Sequence, residues 1–358
     1  MLFLYVGLII RLIVIFLFKN HTNYDIDSWL LVGRETLAHH SIYPEISILH
    51  HPYFPVMLYY YAVAEWLTRC GIPFTVMIKL LFAGFDLAIC YLIYLISDRN
   101  KKMAWIYALN PVSIIITCVQ GQFDSIPLFF LLLSLYYMNS GKAIYSVLSA
   151  SGAIALKTWP AAFLIALYRR ITHWRMFLLF AFIPAVTLIL FCLTYWRSPL
   201  DILMPIAGYR GVYGVFGLVY LMKFIVHNHT AERILSLAFL LSYAIYAVRT
   251  KSDNMYTETL LHMLFFFSFT VTFGVQWLMW LVPFLVLGYR TEMWFYLLTG
   301  TAYLMVANML WWGMGKQISY LPVLNDLAGI LVWFAVLYLF FRTKIETTKV
   351  KKSKHNLA

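Results

Sequence analysis

Two carboxylates separated by one residue, Asp25 and Asp27, are the side chains of this sequence best suited to chemistry. They follow an apolar run, Leu2–Phe18, and open a stretch with helical character that extends to His39. One such carboxylate can act as a general base toward a hydroxyl group, and the pair can hold a divalent ion such as Mg²⁺ or Mn²⁺. An acid before a helix can equally be an N-cap, so both interpretations stay open.

A second group of polar side chains falls in turns between apolar runs. Gln122 and Asp124 lie in the segment 119–125, and Lys157 begins the turn Lys157–Pro160. Polar groups between apolar helices are costly unless they are paired or functional. Lys157 can meet a phosphate or can extend its ammonium group along the membrane toward water, and the sequence favours neither.

Histidines and aromatic residues complete the candidate set. His50 and His51 lie in a Pro-rich stretch, where they can bind a metal or a phosphate, although their spacing favours a turn with exposed imidazoles. Gln276 and Trp277 lie at a later turn, where the tryptophan can mark the membrane interface or stack on a sugar.

Apolar runs recur from end to end of the chain and must form the elements that position these residues. Of the 358 residues, 63% are hydrophobic and only 12% are charged, which excludes a soluble globular domain. We predict an all-α polytopic membrane protein of about 12 transmembrane helices. The predicted spans are Leu2–Phe18, Phe74–Ile96, Met103–Val119, Ile126–Met138, Ala143–Leu156, Ala161–Tyr168, Met176–Tyr195, Ile234–Val248, Leu260–Phe273, Leu278–Leu287, Met293–Trp311 and Leu327–Phe341.

The distribution of Lys and Arg predicts the orientation. With both termini in the cytoplasm, every inside loop carries Lys or Arg, and two long loops face outward, at about 19–73 and 196–233. This layout requires Tyr53–Leu67 and Val215–Ile225 to be juxtamembrane helices. We predict one transmembrane domain, residues 1–341, and a basic cytoplasmic tail, residues 342–358. The net charge of +12 is then explained by inside loops and the tail at a lipid bilayer, without nucleic acid.

Three charged residues fall within the predicted spans. Arg11, Lys79 and Asp86 are each surrounded by apolar neighbours in the sequence. Because a charge in the membrane normally faces the interior of the bundle, we expect Asp86 to pair with one of the two cations in a structural role.

The order of these elements resembles that of the GT-C superfamily. Its members are multi-pass glycosyltransferases that use polyprenyl-phosphate sugars. The most similar pattern is that of the mannosyltransferases that add the first mannose in GPI-anchor assembly and their bacterial relatives. The segments that carry the resemblance are Asp25-Ile26-Asp27-Ser28-Trp29, Ile42-Tyr43, His51-Pro52-Tyr53-Phe54-Pro55, Asp86-Leu87, Leu109-Asn110-Pro111, Gly121-Gln122-Phe123-Asp124-Ser125-Ile126, Lys157-Thr158-Trp159-Pro160 and Gln276-Trp277 with Trp280 and Pro283.

The resemblance implies an inverting transfer of a hexose, with mannose preferred, from a polyprenyl-phosphate sugar to a glycan or glycolipid acceptor on the extracytoplasmic face. Asp25 or Asp27 would be the general base. The sequence makes no cofactor certain, and it leaves open whether the two acids bind a divalent cation, Mg²⁺ or Mn²⁺, or act without one. Short loops and the lack of a visible retention signal favour the plasma membrane of a bacterium over the endoplasmic reticulum of a eukaryote. The residues expected to bind substrate are Trp29, Arg34, Tyr43, His50, His51, Tyr53, Gln122, Asp124, Lys157, Arg210, Gln276 and Trp277.

Two other functions fit the same composition. A multi-pass transporter or lipid flippase would also have many spans and buried charges, but it needs a polar path that reaches both faces. The informative polar residues cluster on the predicted outer face, which favours an enzyme. A structural partner in an assembly complex is the third possibility, and the intact Asp25–Asp27 pair argues against it.

Overall fold

Helices make up 78% of the computed structural model, and no strand occurs among the residues it describes. The described residues are 1–208, 216–225, 229–289 and 291–355. The chain divides into two compact units, Met1–Arg210 and Gly211–Ala358, and each is described here by itself. The prediction of an all-α protein is confirmed.

The first unit contains the amino-terminal helices and most of the candidate residues. A π-helix, Ile115–Val119, follows its seventh helix, and a 3₁₀ helix, Leu179–Ala181, follows its twelfth. The α-helices are α1 Leu2–Leu17, α2 Tyr24–Leu37, α3 Ser47–His50, α4 Val56–Thr68, α5 Phe74–Ile96, α6 Lys101–Ala108, α7 Pro111–Ile114, α8 Ser125–Asn139, α9 Ala143–Leu156, α10 Pro160–Phe163, α11 Ile165–Tyr168, α12 Arg175–Leu178, α13 Phe182–Tyr195 and α14 Pro199–Gly208.

The second unit continues with six α-helices among the described residues. Two 3₁₀ helices, Val275–Trp277 and Met314–Lys316, precede the fourth and the last of them. The α-helices are α15 Gly217–Ile225, α16 His229–Arg249, α17 Met255–Phe269, α18 Leu278–Gly288, α19 Met293–Trp311 and α20 Leu321–His355. The last helix therefore runs without interruption from the final predicted span into the basic tail.

Four helical segments are long and apolar enough to cross a membrane, and a fifth candidate is a bent pair. The four segments are Phe74–Ile96, Arg175–Tyr195, Met293–Trp311 and 321–349, and the bent pair turns by 41° between Lys101–Ala108 and Pro111–Val119. Membrane-spanning character is thus supported, whereas the count of twelve stays a prediction.

Two predicted spans are interrupted in the structure, and the first of them is still a candidate crossing as the bent pair. Met103–Val119 is not one straight helix, because Asn110 caps a new helix through its side-chain oxygen (3.1 Å to the Val112 N–H) and Pro111 cannot donate to the preceding turn. Ala161–Tyr168 is divided into α10 and α11, two single turns of four residues each, which together are too short for a crossing.

Buried ionic contacts connect α1 to α5 and α6. The Arg11 guanidinium donates to Asp86 Oδ2 at 2.6 and 2.9 Å, and the Tyr107 hydroxyl donates to Asp86 Oδ1 at 2.7 Å. The Lys79 ammonium instead donates to the Phe18 carbonyl at 2.9 Å, where α1 ends. The expected structural pairing of Asp86 with Arg11 is therefore present, and Lys79 compensates carbonyls at a helix C-terminus.

Helices α2 and α4 pack against each other at a glycine. A Cβ atom added to Gly33 would lie 2.7 Å from the backbone oxygen of Tyr61, so only glycine permits this approach. The contact fixes α2, which carries Asp25, against α4. The predicted helix Tyr53–Leu67 is observed as α4, and the part of Val215–Ile225 that the structure describes is observed as α15.

Candidate functional site

Asn23 positions the two carboxylates by capping α2. Its side-chain oxygen accepts from the Ile26 N–H at 3.0 Å, and its side-chain amide donates to the Gln120 carbonyl at 2.7 Å. Asp25 and Asp27 consequently lie in the first turn of the helix and are not its cap. The interpretation of either acid as the N-cap is wrong, because Asn23 already supplies the capping oxygen.

Asp25 faces the interior of the first unit and is partly buried. The Gln122 amide donates to Asp25 Oδ2 at 2.5 Å. Burial raises the pKa of the Asp25 carboxyl above its usual value of 3.8, while Gln122 and, more weakly, Lys157 oppose the rise. A desolvated carboxylate held by one donor is a stronger base than one in water, so this site suits proton abstraction.

Asp27 is exposed, whereas Asp25 is partly buried. Residues two apart on a helix do not share a face, so α2 separates the two carboxylates. The arrangement does not fit a divalent ion held jointly by Asp25 and Asp27. Among the described residues, no group of three or more Asp, Glu, His or Cys side chains is placed to hold a metal ion.

Lys157 and Asp124 form a buried ion pair. Lys157 Nζ lies 2.8 Å from Asp124 Oδ2, and both side chains are almost fully excluded from solvent. The ammonium also lies 4.1 Å from the Phe123 ring centroid and 5.4 Å from that of Tyr53. The interpretation of Lys157 as a lysine that extends to water is therefore wrong, since its ammonium is held inside the unit by a carboxylate and two rings.

A π-helix and a glycine shape the loop that holds Gln122. The π-helix Ile115–Val119 ends just before this loop, and Gly121 adopts a left-handed conformation with φ +65°. A Cβ atom at Gly121 would lie 3.1 Å from the Ile26 side chain, so glycine also permits the loop to approach α2. Helical π-bulges often occur at functional sites. The apolar pattern of this segment contained no sign of the π-helix.

The two adjacent histidines have different environments. His50 Nδ1 lies 2.7 Å from the Ser28 hydroxyl, and its ring stacks on Tyr24. His51 is fully buried, and its Nε2 lies 3.4 Å from the Phe54 carbonyl. Burial lowers the pKa of His51 to about 3. The prediction of two exposed imidazoles is therefore wrong for His51, because the Pro-rich turn folds back into the unit.

Two other predicted residues of the first unit, Tyr43 and Trp29, contribute mainly to its packing. The Tyr43 hydroxyl donates to the Tyr53 carbonyl, and the Tyr43–Pro44 peptide bond is cis. Trp29 is buried, with its ring 5.6 Å from those of Tyr61 and Phe123. Arg34 is exposed and donates to Glu65 Oε1 at 2.9 Å.

Tyr61 belongs to the same site, although the sequence did not single it out. It is fully buried on α4, and burial raises the pKa of its hydroxyl well above 10, with smaller contributions from Asp25 and Asp124. Its ring lies between those of Trp29 and His51, at 5.6 and 6.0 Å. The run Tyr59-Tyr60-Tyr61 was a visible signal, but only the helical phase reveals which tyrosine faces inward.

Three predicted residues are not among the described residues of the first unit, where Asp25 and Lys157 lie. Gln276 and Trp277 lie in the second unit, where the Trp277 ring stacks on Trp280 at 5.0 Å. This placement fits an aromatic cluster inside that unit. Arg210 lies outside the described residues.

Comparison of the chain with protein-family models, with curated proteins and with solved structures found no match. The resemblance to polyprenyl-phosphate-dependent glycosyltransferases therefore stays a prediction.

Proposed function

We propose that this chain is a membrane glycosyltransferase that moves a hexose from a polyprenyl-phosphate sugar to a glycan or glycolipid acceptor. Mannose is the preferred hexose, and Asp25 is the general base. The polyprenyl-phosphate donor, the preference for mannose and the inverting outcome come from the sequence resemblance. The geometry contributes the choice of Asp25 over Asp27.

The observation that carries the proposal is the environment of Asp25. Its carboxylate is partly buried, accepts one hydrogen bond from Gln122 and lies in the same unit as the buried Lys157–Asp124 pair. A carboxylate that only stabilises a helix terminus would remain in water, as Asp27 does. Placing Asp25 inside the unit costs stability, and this cost is explained if the carboxylate acts on a substrate.

In the proposed reaction, Asp25 takes the proton of an acceptor hydroxyl while that oxygen attacks the anomeric carbon. The new glycosidic bond forms as the bond to the lipid phosphate breaks, and the phosphate leaves with the bonding electrons. Lys157 offers its ammonium group to the phosphate. Asp124 accepts one of the three N–H groups of this ammonium and so holds the lysine in place. General-base assistance of this kind is worth about a hundred- to ten-thousandfold in rate.

The proposal includes the predicted membrane arrangement. About twelve spans, with both termini in the cytoplasm, place α2 and α4 at the extracytoplasmic face of the plasma membrane. A lipid-linked donor would then enter laterally from the outer leaflet. The apolar helices of both units support a bilayer environment for this arrangement.

The purified chain in proteoliposomes with radiolabelled polyprenyl-phosphate mannose and a glycolipid extract tests this function. A labelled product that carries mannose on a new lipid or glycan is the expected result. Movement of intact donor across the bilayer without a product would instead support a transporter or flippase. A matched preparation of Asp25→Asn should form no product above background.

A further inference from the structure

Two buried polar groups beside Asp25 find no partner among the described residues. They are the Nδ1 atom of His51 and the hydroxyl group of Tyr61, and both residues are fully excluded from solvent. Leaving a buried polar group without a partner typically costs about 1–3 kcal/mol. Two such groups on neighbouring rings therefore indicate that something outside the protein satisfies them.

The hydrogen bond of His51 determines what its free atom can do. Because a backbone carbonyl can only accept, the His51 Nε2 atom, 3.4 Å from the Phe54 oxygen, must carry the proton. In a neutral imidazole the other nitrogen then has a lone pair and no hydrogen. His51 Nδ1 is thus a buried acceptor, and it needs a donor.

The Tyr61 hydroxyl complements this acceptor. It can donate one hydrogen bond and accept others. The His51 and Tyr61 rings are nearly perpendicular, at 89°, with their centroids 6.0 Å apart. A hydroxyl group has both complementary functions, since it can accept from Tyr61 and donate to His51.

The two rings belong to the candidate site and not to a separate part of the core. The His51 centroid lies 5.3 Å from that of Tyr53, and the Lys157 ammonium lies 5.4 Å from the same Tyr53 ring. The Tyr61 hydroxyl is close enough to Asp25 to be affected by its charge. His51, Tyr61, Tyr53, Lys157 and Asp25 therefore belong to one cluster of neighbouring side chains.

We propose that His51 and Tyr61 together bind one hydroxyl group of a carbohydrate ligand beside Asp25. The ligand hydroxyl donates to His51 Nδ1 and accepts from the Tyr61 hydroxyl. This inference rests on the proposed function, because it assigns a carbohydrate to that same site. The sugar of the donor and the sugar of the acceptor share this chemistry, and binding measurements distinguish them.

Binding by the full-length protein in nanodiscs tests the pair without requiring transfer. The donor probe is undecaprenyl-phosphate mannose and the acceptor probe is octyl α-mannoside, each compared with its monodeoxy analogues. Tyr61→Phe removes only the hydroxyl, so it should weaken the binding of one of the two parent probes by about 10- to 100-fold. The analogue that lacks the recognised hydroxyl should bind the wild type and Tyr61→Phe equally.

The neighbouring tyrosine supplies a matched control. The Tyr60 hydroxyl donates to the Met77 carbonyl at 2.7 Å, so Tyr60→Phe loses a satisfied hydrogen bond and should lower the melting temperature without changing probe binding. Tyr61→Phe should keep or raise the melting temperature, since it removes an unpaired buried group. At His51, the Asn variant keeps an acceptor near the Nδ1 position and should bind better than the Leu variant.

Two results would overturn the inference. One is that Tyr61→Phe binds every probe as the wild type does. The other is that Tyr60→Phe weakens binding as much as Tyr61→Phe, because the effect would then come from the fold. Failure of the proposed function is distinguishable: a chain that binds the probes but makes no product contradicts the transfer reaction and leaves this site intact.

Discussion

Removing one partner of the Lys157–Asp124 pair should destabilise the first unit strongly. Both side chains are buried, so Asp124→Leu leaves the Lys157 ammonium against the rings of Phe123 and Tyr53 without its carboxylate. Breaking a buried ion pair in this way costs about 3–5 kcal/mol. For a unit of this size, each kcal/mol corresponds to roughly 2–4 °C, so the melting temperature should fall by roughly 6–20 °C.

A double-mutant cycle separates the pair from its surroundings. Lys157→Met alone should cost a similar amount, whereas Asp124→Leu with Lys157→Met should restore stability to within about 1 kcal/mol of the wild type, since apolar replacement of a buried pair is often neutral. Lys142→Gln, at an exposed lysine, is the control and should have little effect. Thermal unfolding in detergent measures all four variants. Additive losses in the double variant would refute the assignment of a buried, coupled pair.

Three further predictions concern α2. Gly33→Ala should lower the melting temperature because its Cβ would meet the Tyr61 backbone at 2.7 Å, while Gly84→Ala, which meets nothing within 4 Å, should be neutral or stabilising. Asn23→Ala should lower the free energy of unfolding by about 1 kcal/mol because the N-cap of α2 is lost. Asn23→Asp should lower it less, since aspartate can also cap the helix. The raised pKa of Asp25 implies that its ionisation opposes folding, so Asp25→Asn should be more stable than the wild type at neutral pH. This advantage should shrink as the pH falls toward 3.8, and its absence at neutral pH would contradict the burial argument.

The long apolar helices were predictable from the sequence alone. The bounds of Phe74–Ile96, Ala143–Leu156 and Met293–Trp311 agree with the structure to the residue. Each is a predominantly apolar run that begins directly after a polar residue or a proline, so local composition indicates where the helix begins.

The missed features depend on contacts between distant residues. The π-helix before Gln120 has the same apolar pattern as an ordinary helix, so its hydrogen bonding could not be read from composition. His51 looked like an exposed turn residue because its burial comes from the packing of α4 and the following loops. Asn23 competes with two acids for the cap, and only the fold shows which side chain reaches the free N–H groups.

The candidate site was predictable as a set of residues but not as a geometry. Asp25, Gln122, Asp124 and Lys157 come from three separate segments, and the sequence placed all of them at one face. It did not reveal that Gln122 holds Asp25 or that Asp124 holds Lys157. Tyr61 was missed because a run of three tyrosines does not indicate which one faces inward.

The measurement that tests the account most directly is the transfer rate of Asp25→Asn beside that of Asp27→Asn. Both variants change one carboxylate to an amide in the same helical turn, and only Asp25 is partly buried. Single-turnover transfer of radiolabelled mannose should fall by about a hundred- to ten-thousandfold in Asp25→Asn, with donor binding preserved, and should stay close to the wild type in Asp27→Asn. Wild-type transfer by Asp25→Asn would contradict the assignment of Asp25 as the general base.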